Sequence, residues 1–151
     1  MLIKEPKLYK GDIFVDDRGI VGFNNELDLT GVKRFYTISN HTPGYIRAWH
    51  CHLKESKYFT MLTGSAIIVA VLIAADQSEY KLNWKMKYRE TLSANLPSVF
   101  YIPAGYANGS MLIEPNSKLM VFSTSTTEES KTDDIRFSFD DMYNPFQVKI
   151  R

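Results

Sequence analysis

The densest chemistry in the chain lies in one stretch, Gly44-Tyr45-Ile46-Arg47-Ala48-Trp49-His50-Cys51-His52-Leu53-Lys54-Glu55-Ser56-Lys57, which continues through Thr63 to Gly64. Successive side chains of a β-strand point to opposite faces. A strand here therefore places His50 and His52 together on one face and Cys51 on the other. Two neighbouring imidazoles can bind a metal ion or transfer protons near neutral pH. A pocket around these two histidines is the first candidate for a functional site.

The composition is that of an ordinary soluble globular protein. The chain has 151 residues, of which 44% are hydrophobic and 23% are charged, so we expect one domain spanning residues 1–151. Its 18 basic and 17 acidic residues give a net charge of +1. This balance gives no electrostatic reason to expect a nucleic acid or a membrane as partner, although a local basic pocket for a phosphate is compatible with it.

Cysteine content and hydropathy indicate a cytoplasmic location. Cys51 is the only cysteine of the sequence, which suits a reducing compartment, and we expect it to be a small core residue. The first seven residues have no apolar signal-peptide core, and the longest apolar run, Ala66 to Ala75, is too short to span a bilayer.

Short apolar or alternating runs separated by turn residues are typical of an all-β protein. The run Ala66 to Ile73 is apolar on both faces, which predicts a strand packed between layers. Enclosing this many short strands without exposed edges favours a jelly roll or barrel. The sequence predicts twelve strands, at 13–15, 19–23, 32–38, 45–52, 58–62, 66–73, 81–85, 89–92, 99–102, 110–113, 119–123 and 147–150.

Three connections are also predicted. Gly64-Ser65 and Asn116-Ser117 have the composition of hairpin turns. The polar stretch Thr124 to Asp134 is expected to be a surface loop.

The spacing of the central stretch resembles the first cupin motif, in which a glycine, five residues, His-x-His, four residues, a glutamate, six residues and a glycine follow in order. Gly44, His50, His52 and Gly64 fall on this frame, but Lys57 stands at the glutamate position. The second motif, Pro-x-Gly-x-x-His, resembles residues 103–108, where Asn108 replaces the histidine. The resemblance implies a cupin jelly roll, the double-stranded β-helix.

The replaced positions bear on cofactors. In metal-binding cupins the two histidines, the glutamate and the later histidine hold a divalent ion. A protonated lysine cannot be a ligand and repels a cation. Because two of the four ligand positions differ, we predict a pocket without metal or other cofactor, although Glu55 shares the strand parity of Lys57 and leaves a rearranged site open.

Four segments resemble the dTDP-4-dehydrorhamnose 3,5-epimerases. Residues 46–50 look like their Arg-Gly-x-His signature, and residues 17–19 resemble their Asp-x-Arg-Gly motif. Lys57 matches their pocket lysine, and residues 102–107 are similar to their Ile-Pro-x-Gly-Phe-Ala. The resemblance implies that Arg18 binds the nucleotide phosphates and that the protein is a homodimer, with an N-terminal strand exchanged between subunits.

Other segments resemble a sister group, the nucleoside-diphosphate sugar 3,4-ketoisomerases. Residues 33–36 are similar to their Lys-Arg-x-Tyr, residues 47–54 to their Arg-Gly-x-His-x-His-x-Lys, and residues 133–136 to their Asp-x-Ile-Arg. The epimerases usually carry a tyrosine acid in a Thr-x-Tyr-Tyr segment. The corresponding residues 123–127 contain no tyrosine.

Isomerisation of a 4-keto sugar needs a base, a group that stabilises the enolate, and a proton donor. We assign His50 as the base, because histidine titrates near neutrality. Lys57 and Arg47 are the expected cations beside the enolate oxygen, and Lys57 should also lower the pKa of both imidazoles. Arg47 lies on the opposite parity from His50, so its presence in the pocket requires a bulge.

The proton donor and the other substrate-binding residues are each assigned only as candidates. His52 and Tyr36 are the candidate proton donors, and Asn108, like Arg18, is a candidate for substrate binding. An epimerase needs its acid on the opposite face of the sugar from the base, whereas transfer between adjacent carbons in a ketoisomerase can use one face.

The leading hypothesis is a metal-independent epimerase acting on a nucleoside-diphosphate 4-keto-6-deoxy sugar, with dTDP as the expected nucleotide, in deoxysugar and cell-surface polysaccharide biosynthesis. The first alternative is a 3,4-ketoisomerase of the same substrate class. Two further alternatives are a metal-dependent cupin that uses His50, His52 and Glu55, and a non-catalytic binder of sugar nucleotides.

Overall fold

The computed structural model describes residues 4–149 and 151. These residues form twelve antiparallel strands, one short α-helix, α1 (Thr127–Thr132), and one turn of 3-10 helix (Asp141–Tyr143). No helix among them is long and apolar enough to cross a bilayer. The strands are β1 (Lys7–Tyr9), β2 (Asp12–Asp16), β3 (Gly19–Phe23), β4 (Arg34–Ile38), β5 (Ile46–Cys51), β6 (Lys57–Thr63), β7 (Ser65–Asp76), β8 (Glu79–Ser93), β9 (Val99–Ile102), β10 (Tyr106–Leu112), β11 (Lys118–Ser123) and β12 (Ile135–Arg136).

Ten of these strands form two five-stranded sheets, which confirms the all-β prediction. Sheet I has the order β1-β9-β6-β11-β4, and sheet II has the order β12-β5-β10-β7-β8. Strands β2 and β3 form a separate two-stranded ribbon. The two large sheets enclose the main core, in which Phe59 and Met61 of sheet I meet Ile68 and Ala70 of sheet II.

A second apolar layer covers the outer face of sheet II. Trp49 and Cys51 of β5 and Val69 of β7 pack there against Phe146 from the C-terminal segment. The side chains from residue 66 to residue 71 are therefore all buried, because β7 is covered on both faces. This confirms the prediction that the strand at 66–73 lies between layers.

Some strand predictions differ from the structure. The predicted strands at 81–85 and 89–92 are one continuous strand, β8, because β8 pairs along almost its whole length with the long β7. The short strands β1 and β12 were not predicted, since two or three residues carry no detectable alternation. Residues 147–149 are not a strand, and Ile150 lies outside the described residues.

The predicted hairpins at Gly64-Ser65 and Asn116-Ser117 are wrong. Both positions join a strand of one sheet to a strand of the other, so they are corners between the layers. Gly64 has φ +68°, and a Cβ there would collide with the side chain of Ser117. A glycine is required at position 64 for two reasons: its positive φ is unfavourable for other residues, and Ser117 of the second corner leaves no space for a side chain.

The polar stretch 124–134 is not a simple surface loop, because it contains α1. Thr126 caps this helix through a capping box: its Oγ1 accepts from the Glu129 amide at 3.2 Å, and its own amide donates to Glu129 Oε2 at 2.8 Å. The helix leads into β12, which pairs with β5 at Cys51 and His50. The stretch therefore lies beside the two histidines.

Candidate active site

A bulge in β5 sets the direction of the functional side chains. In the pairing with β10, His50 lies opposite Asn108 and Arg47 lies opposite Ser110, so two residues of β5 face the single residue Gly109. Trp49 belongs to the outer layer, and Ala48 packs against that layer. His50 and Arg47 consequently share the inner face of sheet II, although strict alternation would place them on opposite faces.

Gly109 makes room for this bulge. A Cβ at this position would lie 2.8 Å from the Cβ of Ala48 and 2.9 Å from Cζ of Phe146. Nonbonded carbon atoms do not approach each other this closely, so a larger residue at position 109 would displace β5 or the C-terminal segment. The glycine thus helps to fix the position of His50 relative to the outer layer.

A cavity of about 210 Å³ opens between the two sheets at the inner face of β5. The four residues predicted to be catalytic all line it: His50 from sheet II, His52 directly after β5, and Tyr36 and Lys57 from sheet I. The other lining residues are Arg34 of β4, Thr127, Ser130 and Lys131 of α1, and Asp134 and Arg136 at β12.

The three residues predicted to bind substrate do not line this cavity. Arg18 lies at the tip of the β2–β3 ribbon, where its side chain is 83% exposed and pairs with Asp16. The exposed Arg47 donates from Nε to Oδ1 of Asn40 at 2.8 Å. Asn108 donates from Nδ2 to the carbonyl oxygen of His50 at 2.8 Å and so supports the backbone of β5.

Lys57 points into the molecule. Its side chain is 9% exposed, and Nζ lies 3.9 Å from Oε1 of Glu55. Burial lowers the pKa of the amine from its usual 10.5, and the neighbouring Arg34 guanidinium lowers it further, whereas the Glu55 carboxylate opposes these effects. The structure therefore places a buried amine at the position where metal-binding cupins have a carboxylate ligand.

Glu55 is the buried carboxylate beneath the cavity, and its side chain is fully inaccessible. Oε1 accepts from the hydroxyl of Ser123 at 2.6 Å, and Oε2 accepts from the hydroxyl of Ser130 at 2.7 Å. Arg34 Nη2 approaches Oε1 at 3.5 Å. Hydrogen bonds and cations thus occupy both oxygens.

The two histidines are poised to be neutral at pH 7. Burial lowers the pKa of His50 below 6.5, and the charges of Arg136 and Lys57 lower it further. Burial and then Lys57 lower the pKa of His52, although the Glu55 carboxylate acts in the opposite direction. Each imidazole can therefore accept a proton near neutrality.

Tyr36 is the other titratable group in the cavity wall. Burial, reinforced by the negative charge of Glu55, raises its pKa to about 12. The guanidinium of Arg34 lies 5.0 Å from the centre of its ring and acts in the opposite direction on the pKa. At neutral pH this phenol carries its proton and can donate it.

The cavity wall is positively charged. Arg34, Lys57, Lys131 and Arg136 face one carboxylate, that of Asp134. Burial would raise the pKa of Asp134, but the hydrogen bond from Arg136 Nε at 2.8 Å lowers it overall. These four cations outnumber the carboxylates of Asp134 and of Glu55 beneath the cavity, and the excess favours an anionic ligand.

Several of these residues were not predicted as site residues. Arg34, Asp134 and Arg136 stand in segments that resemble the ketoisomerases, but nothing in their spacing places them beside His50. Ser130 and Lys131 belong to the stretch predicted as a loop. The sequence Thr126-Thr127-Glu128-Glu129 fits a capping box and was the available signal for a helix there.

The residues present do not fit a metal ion. Within residues 4–149 and 151, no group of three or more His, Cys, Asp or Glu side chains is arranged to hold one. The alternative ligand set of His50, His52 and Glu55 has the Lys57 amine beside it, and the oxygens of Glu55 already accept hydrogen bonds.

A sequence model of the dTDP-4-dehydrorhamnose 3,5-epimerase family matches residues 2–146. The chain belongs to this family. The match includes every residue that lines the cavity. The protein is accordingly an isomerase of the group that comprises dTDP-sugar epimerases and 3,4-ketoisomerases.

Solved structures of both kinds of enzyme are similar to this chain. The dTDP-4-dehydrorhamnose 3,5-epimerase of Elizabethkingia anophelis NUHP1 is 22% identical with a TM-score of 0.73, over 100% of this chain and 85% of that one. The epimerase of Bacillus anthracis str. Ames, solved with TDP and PPi bound, is 20% identical with a TM-score of 0.75, over 96% and 86%. The 3,4-ketoisomerase QdtA of Thermoanaerobacterium thermosaccharolyticum, solved in complex with TDP, is 20% identical with a TM-score of 0.63, over 94% and 93%.

These structures confirm the expected cupin jelly roll. No curated protein matches the sequence. Identities of 20–22% carry the fold and do not separate the two reactions of the family.

Proposed function

We propose that this family member epimerises a dTDP-linked 4-keto-6-deoxy sugar. The observation that carries the proposal is that His50 and Tyr36 line one cavity from strands of different sheets. His50 comes from sheet II and its pKa is lowered, which favours the neutral imidazole, whereas Tyr36 comes from sheet I and its pKa is raised to about 12, which keeps the phenol protonated. A sugar ring bound between the two sheets would meet a base on one face and an acid on the other, which is what inversion at carbon requires.

The reaction proceeds in two proton transfers. His50 removes a proton from a carbon next to the C4 ketone, and the electron pair moves onto the ketone oxygen to give an enolate. The buried Lys57, in its protonated form, stabilises this oxygen without the reorganisation that water would need. Tyr36 then gives its proton to the same carbon from the opposite face, and exchange with solvent returns both side chains to their starting states.

The charge of the cavity supports a nucleotide sugar as substrate. Lys131 and Arg136 line the cavity together with Arg34. The negative charges of a diphosphate would pair with these three cationic side chains. The Bacillus anthracis relative was solved with TDP and PPi bound, which is consistent with the same ligand class here.

A 3,4-ketoisomerase is the second candidate, and a specific observation favours it. His50 at the end of β5 and His52 directly after it both line the cavity, and the pKa of each is lowered. Two neutral imidazoles on one side of the ring could transfer a proton between C3 and C4 without an acid on the opposite face.

Product analysis in heavy water separates the two reactions. The protein is incubated with dTDP-4-keto-6-deoxyglucose in D₂O and the sugar is followed by NMR. We expect deuterium at C3 or C5 with the carbonyl still at C4. A carbonyl at C3 would assign the ketoisomerase reaction instead, and the absence of both exchange and conversion would leave a non-catalytic binder of sugar nucleotides.

We further propose a homodimer that functions in the cytoplasm. The β2–β3 ribbon exposes apolar side chains on both faces, among them Phe14 at 57% and Ile20 at 70%. Exposed apolar surface of this kind is typical of a contact with another chain. Arg18, at the tip of this ribbon, would then be available to a substrate in the partner's cavity.

A further inference from the structure

Glu55 lies against His52 at the base of the cavity. Oε2 of Glu55 is 3.2 Å from Nδ1 of His52, which is ion-pair distance, although the approach is not aligned as a hydrogen bond. Nδ1 is fully buried, and no other polar group of the described residues bonds to it. The Glu55 carboxylate is thus the nearest acceptor for a proton on this nitrogen.

We propose that Glu55 is a positioning residue that holds the proton of neutral His52 on Nδ1 and leaves Nε2 as a proton acceptor facing the cavity. The kinetic part of this inference rests on the proposed function. The tautomer itself does not, because it is a property of the protein without substrate.

The geometry supports this assignment in two ways. Glu55 cannot turn away from His52, because its oxygens accept from Ser123 on β11 and Ser130 on α1 at 2.6 and 2.7 Å. A carboxylate fixed beside one ring nitrogen favours the tautomer that carries its proton there, as carboxylates do for catalytic and metal-binding histidines. Because His52 lines the cavity while Nδ1 is buried, the other edge of the ring faces the ligand.

This tautomer assigns different roles to the two candidate proton donors, His52 and Tyr36. With its proton held towards Glu55, His52 has none to donate into the cavity and can only accept one from a sugar hydroxyl. Tyr36 is then the proton donor among the two candidates. This assignment agrees with the placement of Tyr36 on the sheet opposite His50.

Nitrogen NMR of the imidazoles tests the tautomer directly. The sequence contains three histidines, His41, His50 and His52, so a sample labelled with ¹⁵N-histidine gives a simple spectrum. The signals of His52 are assigned by their loss in His52→Asn. We expect wild-type His52 to be protonated on Nδ1 and unprotonated on Nε2, and a proton on Nε2 would overturn the proposal.

Glu55→Gln removes the charge and keeps the size of the side chain. We expect the Nδ1-H tautomer of His52 to lose its dominance, so that Nε2 no longer accepts reliably from a sugar hydroxyl. The kcat should then fall by about tenfold with a smaller change in KM, which is less than the roughly 100-fold loss expected for a group that transfers the reacting proton itself. Glu55→Asp should restore part of both. A wild-type His52 spectrum in Glu55→Gln would contradict the proposal, whatever its activity.

Glu129→Gln is the matched control. It is the same chemical change at an exposed carboxylate that caps α1 and pairs with Lys33. It should leave the His52 signals and kcat unchanged, whereas an effect equal to that of Glu55→Gln would assign the change to loosening of α1. If Glu55→Gln does not fold, as thermal unfolding would show, the wild-type spectrum still decides the tautomer.

Discussion

At the scale of single residues, Lys57 distinguishes this cavity from a metal centre. A buried amine can hold the negative charge of an enolate as a bound cation would, and a cation held in place by the fold needs no rearrangement during the reaction. The cost is the burial of a charge, which Glu55 offsets from 3.9 Å.

Lys57→Met should therefore remove the enolate stabiliser. We expect kcat for deuterium exchange to fall by about 100- to 1,000-fold, the typical loss for a group that stabilises an oxyanion. Binding of dTDP, measured by calorimetry, should change much less, because Arg34, Lys131 and Arg136 remain in the cavity wall. Lys57→Arg, which keeps the charge, is the control, and full activity in Lys57→Met would refute the role.

The pH dependence of kcat/KM follows from the lowered pKa of His50. The base must be neutral, and burial together with Arg136 and Lys57 lowers its pKa below 6.5. The value of kcat/KM should therefore be constant just above pH 6.5 and fall only at lower pH. This fall at low pH should be absent in His50→Asn. An acid limb centred above pH 6.5 would show that the imidazole is not shifted in this direction.

The same shift affects stability with a definite sign. Because the unfolded chain takes up a proton at His50 near pH 6.5 and the folded chain only at lower pH, this histidine costs stability as the pH falls below 6.5.

At the scale of elements, the cavity depends on the short helix α1. Six residues are too few for a helix to be stable by itself, so the capping box at Thr126 and the packing of Ser130 on Glu55 hold it. Its residues Thr127, Ser130 and Lys131 form one wall of the cavity.

Thr126→Ala should loosen that wall. Loss of an N-cap side chain costs about 1 kcal/mol, and we expect a small drop in the thermal midpoint together with a higher KM. Thr132→Ala is the matched control, because its hydroxyl bonds to the Glu129 carbonyl at the other end of the helix. Equal KM values in wild type and Thr126→Ala would mean that α1 does not contact the substrate.

The elements also show what the sequence could and could not predict. Alternating or continuous apolar runs located most strands, because most strands of the two large sheets have at least one face on the core. Alternation could not place Arg47 relative to His50, since the bulge depends on Gly109 packing against Phe146, far away in sequence. The helix α1 was missed because six residues show no helical period.

In the molecule as a whole, the resemblance to the first cupin motif was enough to predict the jelly roll, because Gly44, Gly64 and the paired histidines occur at the spacing of that motif. The full wall of the cavity was not predictable from one strand. Arg34 reaches it from β4, Arg136 from β12 and Asp134 from the residue before β12, so segments far from β5 in sequence meet it only in the folded chain.

The exposed apolar residues of the β2–β3 ribbon predict that the protein forms a dimer through this ribbon. Phe14 pairs with Val21 across β2 and β3, and both are more than half exposed. Wild-type protein should sediment as a dimer, and Phe14→Glu should convert it to a monomer, because a charge in an apolar contact is costly. Met142→Glu, a change at an exposed apolar residue outside the ribbon, should stay dimeric. A monomeric wild type would contradict the assignment of the ribbon as an interface.

The proposed mechanism requires that protein side chains alone take a proton from the carbon beside a ketone. The decisive measurement is deuterium incorporation from D₂O into dTDP-4-keto-6-deoxyglucose, followed by NMR after exhaustive dialysis of the protein against a chelator. We predict incorporation next to the C4 ketone at the rate of the undialysed protein, and a loss of about 100-fold or more in His50→Asn. Exchange that stops on dialysis and returns with a divalent metal, or that persists unchanged in His50→Asn, would contradict it.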